Sequence, residues 1–425
     1  MKKVIVLGTG AQGAAAAMCL DKEPNVEKII CADYNLAIAE KLASGLEKAT
    51  AIQVDASDKA SIVEACQGMD IIINALPLDY GKNVLEAAIE VKADYQDYAA
   101  AENVGDPNLP EKEIWVDGIK KMYTYYSDEF KKIGKTAIIG TGCAPGLICV
   151  FARETMNYLD TCDTIYLNVY EAIEVNDFMP VWWSAATFLD DVQENPFAFV
   201  NGEIVRCNPY EHQITRKYPI EMGDKELVFT EHAHDEPVYM GINADKFFKG
   251  AKNIFFKYGG TGIEFGRQLY EAGLLSKEPF KMKDGTEVVP FDLVCQMMPK
   301  APNTTEEVAE IISHGVISDA GATVIEAYGK KDGKDVLVEG HVYAPGLIDC
   351  FEKEGISAEM HITGQSGFLF SKLLVNDEIK QIGLISSDML SEEENKRYIE
   401  YAKELDMWME VFVKEPEYEP AAEWK

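Results

Sequence analysis

Val4-Ile-Val-Leu-Gly8-Thr-Gly10-Ala-Gln-Gly13-Ala14 is the stretch from which the fold can be read. A short β-branched run enters a Gly-x-Gly-x-x-Gly turn and leaves it for Ala14–Leu20, a segment with helical character. In that order each glycine has its own task. Gly8 permits the tight turn, Gly10 lets a pyrophosphate approach the backbone, and Gly13 lets the helix lie close to the strand. With 32 glycines in 425 positions the spacing alone would arise by chance roughly 0.2 times, so the strand before it and the helix after it make it specific. Thr9, Ala11 and Gln12 complete the loop, whose helix offers phosphates its first N–H groups and a positive dipole end. Asp33, 20 residues after Gly13, is expected to accept hydrogen bonds from both adenosine ribose hydroxyls and to repel a 2′-phosphate. Tyr34 and Asn35 follow, with no arginine to welcome one, so the expected cofactor is NAD. The bland alternative is an ordinary turn, with Asp33 as a helix cap.

Working outward, apolar runs at Val4–Leu7, Lys28–Ala32, Ala51–Val54 and Ile71–Asn74 alternate with helix-like Leu36–Leu46, Lys59–Cys66 and Lys82–Val91. Two further strands are expected at Asp94–Asp97 and Lys135–Ile139, around a long helical candidate from Glu111 to Lys132. This alternation predicts an α/β domain, a doubly wound parallel sheet with helices on both faces. Asp55 and Ala56 follow the third strand and Asn74, Ala75 and Leu76 the fourth, where cofactor contacts are expected; for Asp55 a helix cap is an equal alternative. After Gly142 the texture changes. Thr164–Tyr170, Glu203–Cys207, Asn253–Tyr258 and Thr323–Tyr328 read as strands, and Lys330-Lys-Asp-Gly-Lys334 as a hairpin turn, giving a largely antiparallel α+β region. Past His361 the chain reads as helical again at Gly367–Val375 and Glu392–Trp408, then as a loosely held tail from Pro416. The expected domains are 1–143, 144–361 and 362–425.

Acidic residues outnumber basic ones 72 to 40, a net charge of −32, which argues against nucleic acid or anionic membrane as partner. No apolar run has the length of a membrane span or signal peptide. Nine cysteines without a Cys-x-x-Cys pair suit a reducing cytoplasm. Among six histidines only His232 and His234 stand close together, and no metal is expected from so small a set.

The order of motifs resembles the saccharopine dehydrogenase-like family. The glycine turn is followed by Val54-Asp-Ala-Ser-Asp58, Ile72-Ile-Asn-Ala-Leu-Pro77, Asp94-Tyr-Gln-Asp97-Tyr98 and Gly142-Cys-Ala-Pro-Gly146-Leu. Weaker echoes come at Phe256-Lys-Tyr-Gly-Gly260, Thr363-Gly-Gln-Ser-Gly367 and Gly383-Leu-Ile-Ser-Ser-Asp-Met-Leu390. Within the family the likeness is greatest to NAD-dependent lysine 6-dehydrogenases. It implies a Rossmann domain completed by the C-terminal segment, an inserted α+β domain for substrate and dimerisation, and hydride transfer at the carbon bearing an amine. A homo-oligomer acting on an amino acid is thus expected. Ala144 stands where saccharopine reductases carry Asp, which turns the expectation toward oxidative release of ammonia from a lysine-like amine. A secondary-amine-forming saccharopine or opine type of reductase is the alternative, and a non-catalytic dinucleotide sensor the alternative of another class. Asp97 is the expected acid–base group, assisted by Tyr98, with a helix cap as its plain alternative. Cys143, Ala144, Pro145 and Gly146 are expected to line the substrate pocket. Lys257, where relatives often have arginine, is expected to hold a substrate carboxylate as a point charge. The histidine pair is a reserve acid–base group, and Trp182 and Trp183 are pocket walls or core.

Overall fold

β-Branched runs flanked by glycine turns become strands, and the chain alternates as its pattern dictates. The structure, a computed structural model, describes residues 1–98 and 104–424. Strands β1 (Lys2–Leu7), β2 (Val26–Asp33), β3 (Ala49–Gln53), β4 (Ile71–Asn74), β5 (Asp94–Asp97) and β6 (Thr136–Ile139) form successively, with helix α1 (Ala11–Lys22) joining the first two. The long helical candidate is two α-helices, Glu111–Lys121 and Ser127–Ile133, joined through a π-turn at Met122–Tyr126.

A second series follows: β7 (Thr161–Val175), β8 (Phe197–Val200), β9 (Glu203–Arg206), β10 (Ile214–Arg216), β11 (Leu227–Glu231), β12 (Asn253–Gly260), β13 (Phe280–Lys281), β14 (Glu287–Val288), β15 (Val316–Lys331) and β16 (Lys334–Tyr343). Helix Ser366–Val375, β17 (Gly383–Ser386), helix Glu392–Glu404 and β18 (Trp408–Lys414) end the chain.

Two units result. The first comprises Met1–Arg153 and Met360–Trp408, the second Glu154–Glu359 and Met409–Lys425. In the first, seven parallel strands lie in the order β17-β6-β5-β4-β1-β2-β3, a Rossmann-type sheet. The order reverses between β1 and β4, so a crevice opens at their carboxyl ends, where open α/β sheets bind ligands. Val4 to Leu7 and Ile71 to Ile73 are buried, as strands covered on both faces must be.

In the second unit the main sheet runs β10-β11-β12-β7-β15-β16-β18, with β8 attached to β12 and β9 to β8. It is mixed: β12 runs parallel to β7, while β7–β15 and β15–β16 are antiparallel. Asp332 and Gly333 turn the β15–β16 hairpin with φ of 51° and 75°, the positive pair that an Asp-Gly turn supplies. A cluster built on Tyr166, Tyr218, Phe229, Phe255, Val324 and Leu337 packs this sheet.

The end of the chain departs from expectation. Helix Glu392–Glu404 stops short of Trp408, and Asp406, at φ 56°, turns the backbone into β18, which pairs in the second sheet instead of completing the first unit. The tail is anchored rather than loose. Ala421 N donates to the Tyr166 hydroxyl at 2.8 Å, and the Trp424 ring stacks on His212 at 3.8 Å.

Candidate functional site

The glycine turn has the geometry its spacing predicts. Gly8 sits at φ +89°, and a Cβ there would meet the Ala75 carbonyl oxygen at 2.6 Å. A Cβ on Gly13 would lie 1.9 Å from the Gly8 oxygen, so only glycine lets α1 start this close to β1. At Gly10 a Cβ would meet nothing within 4 Å, and no side chain caps the helix there. Backbone N–H groups, a positive helix end and open space therefore coincide at Gly10–Gly13, with Ala11 and Gln12 in the first turn. Asp33 closes the cradle. Its Oδ2 accepts from the Thr9 N–H and hydroxyl, each at 2.9 Å, and its Oδ1 from Asn35 N at 2.9 Å. Oδ1 keeps a further acceptor site for a ribose hydroxyl. Tyr34 beside it is 71% exposed. The donor set fits a dinucleotide.

Asp55 caps no helix; Asp58 does, accepting from Ala60 N. Asp55 instead accepts from the N–H and hydroxyl of Ser57, which hold its exposed carboxyl below the usual range. The Ala56 carbonyl takes a bond from Asn83. After β4, Asn74 accepts from Leu76 N, and Ala75 N donates to Leu7 O, tying the two strand ends together at the crevice.

Asp97 stands at the end of β5, where it was expected, and is only 2% exposed. Oδ1 takes the Gly140 N–H and Oδ2 the Tyr95 hydroxyl, both at 2.9 Å, and Tyr95 in turn accepts from Asn74. Burial pushes its carboxyl up to about 8. The two hydrogen bonds tie Asp97 to Tyr95 and to the turn after β6. Tyr98 packs against Gly367, and its hydroxyl donates to Gly364 O at 3.0 Å.

The neighbouring loop is built around Gly146 (φ +137°), where a Cβ would fall 1.9 Å from the Gly142 oxygen. Ala144–Pro145 is cis, and Cys143 is half-buried. A Cβ on Gly142 would touch the Thr363 methyl at 3.2 Å and the Tyr98 ring at 3.8 Å. Three motifs far apart in sequence thus meet at one place in the first unit.

In the second unit Lys257 is a correction. It is fully buried, and its ammonium donates to Glu231 Oε1 at 2.7 Å and His212 O at 2.5 Å, with Glu423 at 3.2 Å. Three acceptors saturate three N–H donors, so no substrate carboxylate is held there. Glu231 stands directly opposite Lys257 on β11, a pairing that spacing along one strand cannot reveal.

Sequence reasoning missed Glu171. On β7, it accepts from the Tyr258 hydroxyl at 2.5 Å, and burial lifts its carboxyl to about 7. Glu171, Trp183, Phe188, Tyr258 and Ile263 line a cavity of about 10 Å³, room for one water or one ammonium nitrogen. Gly259 and Gly260 make it possible, because a Cβ on Gly260 would strike the Glu171 oxygen at 2.0 Å. Trp182 is core, 2% exposed. His232 adjoins Tyr258, ring centroids 5.1 Å apart, and His234 reaches the buried Glu236 at 3.1 Å. An acid directly after an aromatic residue in a largely apolar strand, Tyr170-Glu-Ala172, was the available signal.

Comparison with known proteins bears on both units. Residues 4–138 match the model of the saccharopine dehydrogenase NADP binding domain. A carboxynorspermidine synthase of Vibrio cholerae is 27% identical over 358 residues, 80% of this chain and 81% of that protein. A carboxyaminopropylagmatine dehydrogenase of Synechocystis is 23% identical over 400 residues, 91% and 92% of the two chains. Among solved structures, apo saccharopine dehydrogenase (L-Glu forming) of Saccharomyces cerevisiae superimposes with a TM-score of 0.65 at 16% identity, over 97% of this chain and all of that one. Homospermidine synthase of Legionella pneumophila, solved with NAD, gives 0.64 at 12% identity over 98% and 92%.

Proposed function

We propose that this chain, whose residues 4–138 match the saccharopine dehydrogenase NADP binding domain, is a member of that family and an NAD-dependent oxidoreductase that makes or breaks a secondary amine. An amine and a carbonyl partner condense to an imine with loss of water, and the imine carbon then takes up hydride. The names of the two curated relatives support this reading over a lysine-specific one. The observation that carries it is Glu171 in its aromatic pocket. A carboxylate beside the rings of Tyr258 and Trp183 offers an alkylammonium both a counter-charge and cation–π attraction.

Bound dinucleotide supplies or accepts the hydride. The chain's own residues do the rest. The α1 N-terminus holds the pyrophosphate, and Asp33 holds the ribose hydroxyls and selects NAD. An amine with an ordinary pKa near ~10.4 must lose a proton before it attacks a carbonyl. Glu171, with its carboxyl lifted to about 7, takes that proton at its carboxylate oxygen. A cytoplasmic setting is part of the same reading, supported by nine cysteines without a Cys-x-x-Cys pair; among the described residues no helix is long and apolar enough to cross a membrane.

The test supplies diamines, lysine among them, with NADH, with and without an aldehyde or 2-oxo acid. NADH consumed only when both partners are present, with a secondary amine in the mass spectrum, is the expected result. Ala144 favours a second reading, oxidative deamination of a lysine-like amine. NAD reduced with ammonia released from one diamine alone would establish it. No turnover in either direction, with NAD still bound, would mark a sensor.

A further inference from the structure

His232 lies just after β11, is 3% exposed, and its Nε2 has no hydrogen-bond partner. A buried polar atom left so carries an uncompensated desolvation cost, which calls for an explanation. One nitrogen of His232, one of His234 and a carboxylate oxygen of Asp191 all lie within 4.8 Å of one another. We propose that these three side chains form a transition-metal site in the second unit, taking zinc or cobalt(II).

The supports are of three kinds. His234 is held in orientation: its ring stacks on Phe256 at 3.9 Å and 8°, and its Nδ1 faces Glu236 Oε2 at 3.1 Å. A carboxylate behind a ligating imidazole fixes the ring and its tautomer, the arrangement that commonly backs metal-bound histidine. Asp191 comes from the end of helix Ala185–Asp191, and the two histidines from the short connection between β11 and helix Glu236–Ile242. Two imidazoles and one carboxylate select a borderline cation over calcium or magnesium, which prefer oxygen throughout. With Zn–ligand distances of about 2.0–2.2 Å, ligand atoms come to roughly 3.3 Å apart, so modest side-chain rotation closes the site. Three protein ligands leave a fourth position for water.

The experiment uses tag-free, chelator-treated full-length protein, without dinucleotide or amine, titrated with cobalt(II) and with zinc in competition against a chromogenic chelator. One equivalent bound with Kd below about 1 μM, with visible cobalt bands of tetrahedral intensity, is expected. Asp191→Asn and His234→Asn, each checked for folding by circular dichroism, should weaken binding at least about 100-fold, and Glu236→Gln about 10–100-fold. Binding weaker than about 100 μM, or unchanged in the first two variants, overturns the proposal. Should those variants unfold, X-ray absorption of the wild-type zinc complex decides. Two imidazoles in the shell sustain the site, and a shell of oxygen or sulfur alone refutes it. No turnover is read, so failure here leaves the proposed oxidoreductase standing.

Discussion

Asp33 carries two tasks that a substitution separates. Its carboxylate fastens Thr9 and, in the proposed complex, meets the ribose, so Asp33→Ala should weaken both dinucleotides while erasing the preference between them. A phosphate facing this carboxylate, with no cation nearby, is worth roughly 2–4 kcal/mol. Wild type should therefore favour NAD about 30- to 1,000-fold. Dissociation constants for NAD and NADP on both proteins check this, and equal wild-type values would show that Asp33 does not meet the ribose. Lys257 carries a different prediction. Lys257→Met strands two carboxylates, Glu231 and Glu423, and should cost about 3–5 kcal/mol in urea unfolding. Adding Glu231→Leu should recover part of that loss. The glycine loop was legible because each residue there answers a local backbone demand. Lys257 and Asp97 were not, because their partners, Glu231 and Gly140, arrive from other strands.

Between β1 and α1 the element, rather than any one side chain, is what a dinucleotide meets. Gly13→Ala puts a methyl 1.9 Å from the Gly8 oxygen, so the helix must back away. The expected cost is about 2–4 kcal/mol of stability, together with lost NAD binding. Gly10→Ala is the informative contrast. Its φ of −69° suits alanine and its Cβ meets only open space, so stability should stay within about 1 kcal/mol of wild type. NAD affinity should nevertheless fall at least about tenfold, because the methyl occupies the pyrophosphate's approach. Thermal melts beside NAD titrations read both effects. At this scale the β15–β16 hairpin was legible from Asp-Gly alone, since two positive φ values require it. β18 and the tail were not. β18 is held by pairing with β16, and the tail by Ala421 and Trp424 reaching distant strands, which leaves no periodicity to read.

At the scale of the whole molecule, two buried carboxyls contribute to the dependence of stability on pH. Folding raises Asp97 from an ordinary 3.8 to about 8 and Glu171 from 4.5 to about 7. The folded state therefore binds more protons than the unfolded one. This contribution is complete below the unfolded values and is lost as pH climbs through the folded ones. Stability of wild type should decline relative to Asp97→Asn from about pH 4 to about pH 8, by up to about 5 kcal/mol, and relative to Glu171→Gln from about pH 4.5 to about pH 7, by up to about 3 kcal/mol. Urea midpoints across that range measure it, and a flat difference would contradict the burial of either group. The first unit also has a consequence for biosynthesis. β6 pairs with β17, yet Ile139 and Gly383 are 244 residues apart, with most of the second unit made in between. At about 5–20 residues per second, a ribosome needs roughly 10–50 s to deliver the missing strand. Throughout that interval the nascent sheet presents a bare parallel edge, so chaperone dependence during translation should track the delay before β17 emerges. A circular permutant that places Met360–Trp408 ahead of β1 should shed that dependence.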